Sequence, residues 1–320
     1  MTNNRILLSI CIPTYNRAST LEQTLRYITE NPEIDDRVEI IVSDNASTDH
    51  TRQVVTQFPK VKYYCNDENI KDLNFSKVLS YASGAYIKLT NDTTFYKPQA
   101  ITTILDLIEK HKETKPILYF CQNAFNYKNC EKWCESLDQF LNILSVNITW
   151  TNIFGIWREQ FIELEDKNRM AALQFAQVDW NLRNFEHIGK GVIYFSDFLG
   201  FTPLMKKGGY NVIRVFVENY LSILYPYVES GKISASAFEL EKKRLYQVNV
   251  QQWLPNLYAN KKVQFDFDMS GVWSLLLHTY GKKEYFWISL PKIFFHIIFI
   301  KFKNLLRPII KKAINIILWI

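Results

Sequence analysis

The first 50 residues alternate short apolar runs with polar breaks. Residues 6–12 (ILLSICI) are aliphatic and branched, too few for a helix. This predicts a strand buried on both faces. Pro13 is expected to end it, because proline cannot join a central ladder. Residues 38–42 (VEIIV) repeat the pattern and stop at Ser43-Asp44-Asn45. Between the runs, Leu21, Leu25 and Ile28 recur at helical spacing, predicting a helix over residues 21–30. Strand, helix and strand make a βαβ unit with a right-handed crossover. Open parallel sheets bind ligands beyond the carboxyl ends of their strands. Thr14, Tyr15, Asn16 and Asp44 all fall there.

The pattern continues with a loop and helix over residues 69–85 (NIKDLNFSKVLSYASGA) and a strand over 86–92 (YIKLTND). A helix is expected at 101–112, after Pro98, and a strand at 116–122. Residues 123–150 are irregular in pattern, with room for an acceptor loop and a helix. Residues 152–158 and 191–195 predict strands or tight turns, and 171–185 a helix. Residues 206–210 (KKGGY) predict a loop, followed by helices over 211–230 and 235–258 around Pro226 and a turn at Gly231. The expected divisions are 1–110, 111–230, a helical region at 231–284 and an amphipathic tail at 285–320.

PTYNR after the first strand, SDNASTD after the second, the segment 69–85 and the acidic strand end at Asp92 occur in an order that resembles the family 2 inverting glycosyltransferases of the bacterial O-antigen and capsule type. The resemblance implies an α/β GT-A nucleotide-sugar-binding fold, a Rossmann-like mixed sheet flanked by helices, with residues 1–110 as its nucleotide-sugar-binding half and 111–230 as its acceptor-binding catalytic half. It assigns Pro13, Thr14, Tyr15, Arg17, Asp44 and Asn91 to the nucleotide. It assigns Asp92 to a Mg²⁺ or Mn²⁺ ion. The residue chemistry is compatible. Asp44 is an acceptor-only group suited to a base-edge N–H or a ribose hydroxyl, Tyr15 offers a flat face for a base, and Arg17 suits the diphosphate. Asp44 equally suits a turn or cap before a helix at 51–57, with Asn45, Ser47 and Asp49, and Tyr15 equally suits plain packing. The acidic motif departs from the family, which usually carries two or three aspartates. In Asn91-Asp92-Thr93-Thr94 there is one carboxylate. A cation can bind through one carboxylate plus phosphate oxygens and water, with Asn91 offering a neutral oxygen.

An inverting transfer needs a carboxylate to take the acceptor's proton, worth roughly 10²–10⁴-fold. The resemblance points to Asp179, in Ala176-Gln177-Val178-Asp179-Trp180, with Asp197 and Glu186 in reserve. Asp179 equally suits a helix N-cap or a surface ion pair with Arg183, four residues on. Lys206 and Lys207, ahead of two glycines, suit a diphosphate of donor or acceptor, or a solvated basic turn. The histidines show no partner and are expected to be structural. A non-catalytic sugar-nucleotide-binding protein is the competing expectation, given the depleted acidic motif. A nucleotidyltransferase would want a glycine-rich basic loop that PTYNRAST lacks.

The chain has 320 residues, enough for one large domain or one domain with an appendage. Five cysteines (an odd number) and the lack of a signal peptide predict a reducing cytosol. The spacing of Cys121, Cys130 and Cys134 matches no usual zinc pattern. The net charge of +6 is concentrated. Residues 285–320 hold Lys292, Lys301, Lys303, Arg307, Lys311 and Lys312 and no acid. Nucleic-acid binders spread basic residues over a folded face, so none is expected as a partner. In the tail, Lys292, His296, Lys303, Arg307 and Lys311 share one helical face. No 18-residue window there is free of charge, which argues against a spanning helix. The pattern predicts one interfacial helix, or two split near Pro308, on an anionic membrane, with a core or dimer helix as the competing expectation. The resulting expectation is a peripheral enzyme on the cytoplasmic face of the bacterial inner membrane. It would transfer a sugar from a nucleotide sugar, UDP-sugar foremost, to a lipid-linked oligosaccharide.

Overall fold

The computed structural model describes residues 6–123, 127–203, 207–259 and 265–317. Its strands are β1 (Leu8–Thr14), β2 (Val38–Asp44), β3 (Val61–Cys65), β4 (Tyr86–Leu89), β5 (Thr94–Tyr96), β6 (Ile117–Cys121), β7 (Cys130–Cys134), β8 (Gly155–Trp157), β9 (Gly191–Phe195), β10 (Leu199–Phe201), β11 (Lys207–Gly208) and β12 (Phe265–Asp266). Its α-helices are α1 (Ala18–Thr29), α2 (Thr51–Val55), α3 (Leu73–Ser80), α4 (Ala100–His111), α5 (Leu137–Leu144), α6 (Arg158–Glu163), α7 (Ala176–Ile188), α8 (Tyr220–Glu229), α9 (Ala235–Arg244), α10 (Gln251–Ala259), α11 (Val272–Tyr280) and α12 (Glu284–Ile317). The chain forms two compact units. One holds residues 1–204 with 227–234, the other residues 205–226 with 235–320.

In the first unit the main sheet has the order β3-β2-β1-β4-β8. Its first four strands are parallel and β8 is antiparallel. Both faces are covered, as parallel sheets require. Ile10, Ile12 and Val42 pack with Leu21, Leu25 and Ile28 of α1 and with Ile101, Ile104 and Ile108 of α4. Cys11, Ile41 and Leu89 on the other face pack with Val78 of α3, Phe161 of α6 and Trp180 of α7. A second sheet has the order β6-β9-β7, and β5 pairs with β10 as an antiparallel ribbon.

Pro13 does not end β1. It lies inside the strand, opposite Ser43 of β2. The Thr90 amide donates to the Cys11 carbonyl, so Cys11, and with it Pro13 two residues on, face β4. The ladder to β4 stops at Cys11, so the missing proline N–H removes no bond. The patternless stretch 123–150 holds the edge strand β7 and the helix α5, which Ser136 caps by accepting from the Gln139 amide. Residues 206–210 were expected as a loop, but Lys207 and Gly208 form β11.

The second unit is helical. α12 runs unbroken through Pro291 and Pro308. Its Phe286, Ile293 and Ile297 are buried with Leu254 of α10 and Leu276 and Tyr280 of α11. Asn304 donates to the Ala259 carbonyl at 3.0 Å. Around the helix from this buried stripe, Ile288, Phe295, Ile298, Phe299, Phe302 and Leu305 are exposed. At 3.6 residues per turn, Lys292, His296, Lys303 and Arg307 line one border of that apolar face and Lys301 the other. By length and composition alone the segment Glu284–Arg307 is long and apolar enough to cross a membrane, an 18-residue window within it reaching a mean hydropathy of 1.4.

Candidate functional site

Four loops meet at the carboxyl edge of the main sheet: 14–18 after β1, 44–50 after β2, 66–72 after β3 and 90–93 after β4. The first two are laced together. The Asn16 amide donates to Ser47 Oγ at 2.8 Å, and the Thr48 amide to Asn16 Oδ1 at 2.8 Å. Asn16 takes a left-handed φ of 51° to make this exchange, a conformation asparagine tolerates. Asp49 accepts from the Ala18 amide at the start of α1 and from the Thr51 amide at the start of α2. The third loop is held by asparagines. Asn45 accepts from the Ile70 amide and from Asn66 Nδ2, and donates to Asn69 Oδ1 at 2.8 Å. Asn74 donates to the Ser43 carbonyl and accepts from Ser43 Oγ.

Thr14 stands between the two acids. It pairs with Asp44 across β1 and β2, and its hydroxyl donates to Asp92 Oδ2 at 3.0 Å. Asp44 is almost fully buried. Its Oδ1 accepts from the Ser47 amide at 2.9 Å and its Oδ2 from the Tyr63 hydroxyl at 2.7 Å. It is thus a turn residue here, and each oxygen keeps a second acceptor position. Burial, and then the bond to Asp44, hold the Tyr63 phenol protonated far above its ordinary range. Tyr15 is 42% exposed, its ring open to a stacking partner.

Asp92 is buried, and Arg17 Nη1 donates to its Oδ1 at 2.7 Å. The turn that carries it is clamped from below. Thr24 of α1 donates to the Asp92 carbonyl at 2.8 Å and lies 3.0 Å from Thr202 Oγ1. Asn152 accepts from the Asn91 amide at 2.7 Å and donates to Thr94 Oγ1 at 2.9 Å. Beneath Asn152 lies Lys88, fully buried in β4, whose ammonium donates to the Asn152 carbonyl. Burial pushes that ammonium down to about 7.

Asp179, in the first turn of α7, is buried between two arginines. Arg169 Nε donates to its Oδ1 at 2.9 Å. Arg183 Nη2 lies 2.8 Å from Oδ2, the expected ion pair at four-residue spacing but with Asp179 buried rather than at the surface, and Oδ2 accepts no hydrogen bond. Arg183 and Trp180 also hold the loop that brings Arg169, through the carbonyls of Glu165 and Lys167. Of the reserves, Asp197 is exposed and paired with Lys97, and Glu186 pairs with Lys232. Lys206 lies outside the described residues, and the Lys207 backbone is in β11.

Residues 9–164 match the model of "Glycosyl transferase family 2". This part of the chain resembles glycosyl transferase family 2. The abequosyltransferase RfbV of Salmonella typhimurium is 32% identical over 124 residues, 36% of this chain and 35% of that protein. The GalNAc(5)-diNAcBac-PP-undecaprenol beta-1,3-glucosyltransferase of Campylobacter jejuni is 34% identical over 104 residues, 31% of this chain and 33% of that protein. The chain thus aligns with about a third of the length of these curated relatives. Among solved structures, S. aureus TarS residues 1–349 in complex with UDP-GlcNAc superpose with a TM-score of 0.54 at 16% identity, covering 79% of this chain and 80% of that one. The same TarS residues bound to UDP give 0.51 at 13% identity, covering 79% of each chain. At such identity the likeness is one of fold, and the fold is the GT-A type expected.

The matched segment ends before Asp179, and all of the laced edge except Thr202 lies inside it. Donors in this segment suit a divalent cation only jointly with a diphosphate. Asp92 is the sole carboxylate of its turn, both its oxygens are engaged, and the described residues hold no cluster of three metal-ligating side chains. Tyr63, Lys88 and Asn152 carry no motif and went unseen in sequence. The one available signal was a lysine inside an otherwise apolar strand.

Proposed function

We propose that the chain is an inverting glycosyltransferase, moving one sugar from a nucleotide sugar to a lipid-linked oligosaccharide in bacterial surface polysaccharide synthesis. The observation that carries this is the family 2 match with Thr14, Asp44 and Asp92 joined at one sheet edge. TarS, which shares the fold, has been solved with UDP and UDP-GlcNAc. The Campylobacter relative is named for an undecaprenol-diphosphate acceptor. Both support a UDP-sugar donor and a polyprenyl-diphosphate acceptor.

In this scheme Asp44 accepts from the base or ribose, Tyr15 stacks on the base, with Pro13 and Asn91 beside it, and Arg17 faces the diphosphate. The acceptor hydroxyl oxygen bonds to the anomeric carbon as the bond from that carbon to the diphosphate breaks. The hydroxyl proton passes to Asp179, whose Oδ2 accepts no hydrogen bond in the protein as it stands. A divalent cation bound at Asp92 with the diphosphate would neutralise the leaving group's charge. Lys206 and Lys207 serve the diphosphate of the acceptor.

α12 supports a membrane station. Its exposed phenylalanines and isoleucines suit the acyl boundary, and its bordering cations suit anionic headgroups. That combination favours a helix lying in the interface over one crossing it, on the cytoplasmic face where nucleotide sugars are found.

The test is transfer by the full chain from a panel of radiolabelled UDP-sugars to lipid extract from the parent bacterium. The expected result is a labelled lipid that mild acid releases as an oligosaccharide. Nucleotide binding with neither transfer nor hydrolysis of any donor would leave a binding protein instead.

A further inference from the structure

The only carboxylate of the acidic turn is already neutralised from within the protein. Arg17 Nη1 sits 2.7 Å from Asp92 Oδ1 and Thr14 Oγ1 sits 3.0 Å from Oδ2. A buried carboxylate needs a counter-charge, and removing one partner of such a pair is costly. The two partners differ in freedom. The Asp92 side chain is buried and its turn is clamped by Thr24 and Asn152, whereas the Arg17 side chain is 37% exposed. The backbone beneath Arg17 is fixed by Asn16–Ser47 and Ala18–Asp49 hydrogen bonds, so the guanidinium can swing without moving its loop.

A free divalent cation approaching Asp92 meets one carboxylate and a guanidinium of like charge beside it. It gains little unless the guanidinium leaves, and the guanidinium gains nothing by leaving unless another anion receives it. A nucleoside diphosphate is such an anion. Its phosphates bind guanidinium bidentately, and its remaining oxygens complete a cation's shell. We propose that Arg17 is an exchangeable counter-ion. It occupies Asp92 in the ligand-free protein and releases it to a divalent cation only when a diphosphate takes the guanidinium. Cation and nucleotide then bind with mutual coupling, each raising the other's affinity by the same factor. This deepens the donor-site reading above and rests on it.

The experiment titrates Mn²⁺ into the full chain, followed by electron paramagnetic resonance, without and with UDP, for the wild type, Arg17→Gln and Arg17→Lys. The expected result is that Arg17→Gln binds Mn²⁺ alone at least tenfold more tightly than the wild type. Arg17→Lys, which keeps the charge, should not. UDP should raise Mn²⁺ affinity more in the wild type than in Arg17→Gln. Equal nucleotide-free Mn²⁺ affinity in the wild type and Arg17→Gln would overturn the proposal, as would equal gains in the Lys and Gln variants. The wild type gives an independent measurement should a variant not fold. The Arg17 side-chain nitrogen resonance should shift with Mg²⁺ and UDP together and stay in place with Mg²⁺ alone. A shift with Mg²⁺ alone would also overturn it. If UDP failed to bind the wild type under any condition, the donor-site reading would fall, while the nucleotide-free Mn²⁺ comparison would still judge the counter-ion.

Discussion

The hydroxyl of Tyr63, on β3, donates a 2.7 Å hydrogen bond to Asp44 at the end of β2. Together with the Ser47 amide it fixes the plane of a buried carboxylate that faces the donor edge. Tyr63→Phe keeps the ring and removes that donor. A hydrogen bond to a charged group contributes about 1.5–3 kcal/mol, or roughly ten- to a hundredfold in affinity. UDP affinity measured by calorimetry should fall toward the lower figure, and Asp44→Ala should cost at least as much. Unchanged UDP affinity in both variants would remove Asp44 from the nucleotide site.

Lys88 links pH to stability. Its folded-state value of about 7 lies below the ordinary lysine value of 10.5, because burial disfavours the charged form. Between these values the unfolded chain binds more protons than the folded one, so stability rises with pH across this window. The slope from this group is at most about 1.4 kcal/mol per pH unit. Below about 7 the contribution is constant. Lys88→Met should flatten the curve of urea midpoints between pH 7 and 10. It should also loosen the Asp92 turn through Asn152. A slope identical to wild type would show that Lys88 keeps its ordinary value.

Asp179→Asn should leave UDP binding intact and lower turnover at least about a hundredfold, the low end for loss of a general base. Single-turnover kinetics would separate this from slow product release. The competing role is structural, since Asp179 joins Arg169 to Arg183. A variant with a lower melting temperature and normal turnover would assign it that role and move the base to Asp197 or Glu186.

The apolar face of α12 can be tested without cutting the helix. Phe286, Ile293 and Ile297 are core residues, so truncation would open the second unit. Phe295, Ile298 and Phe302 are 72%, 65% and 57% exposed. Changing all three to serine should leave the melting temperature near wild type and abolish most flotation with anionic liposomes. Wild-type flotation should weaken in high salt without vanishing, because burial of apolar side chains persists when charges are screened. Full flotation of the triple variant would place membrane contact elsewhere.

The strand–helix–strand opening was legible because its signal is local. Period and length of apolar runs report burial directly, and residues 6–12 and 38–42 are buried almost throughout. The positions of Thr14, Asp44 and Asp92 followed, since a parallel sheet brings the ends of its strands to one edge. Pro13 was misread because ladder direction is a matter of parity between neighbouring strands, which one segment does not contain. The partners of the acids were hidden for a similar reason. Arg17 and Asp92 are 75 residues apart, and Arg169 reaches Asp179 only because Trp180 and Arg183 hold its loop. A charge pattern along α12 was visible in the chain, yet which stripe is core and which is exposed was decided by α10 and α11. Sequence alone set the elements and the residue types available for chemistry. Tertiary structure decided which carboxylate each cation neutralises, because a buried charge takes the nearest counter-charge in space rather than in the chain.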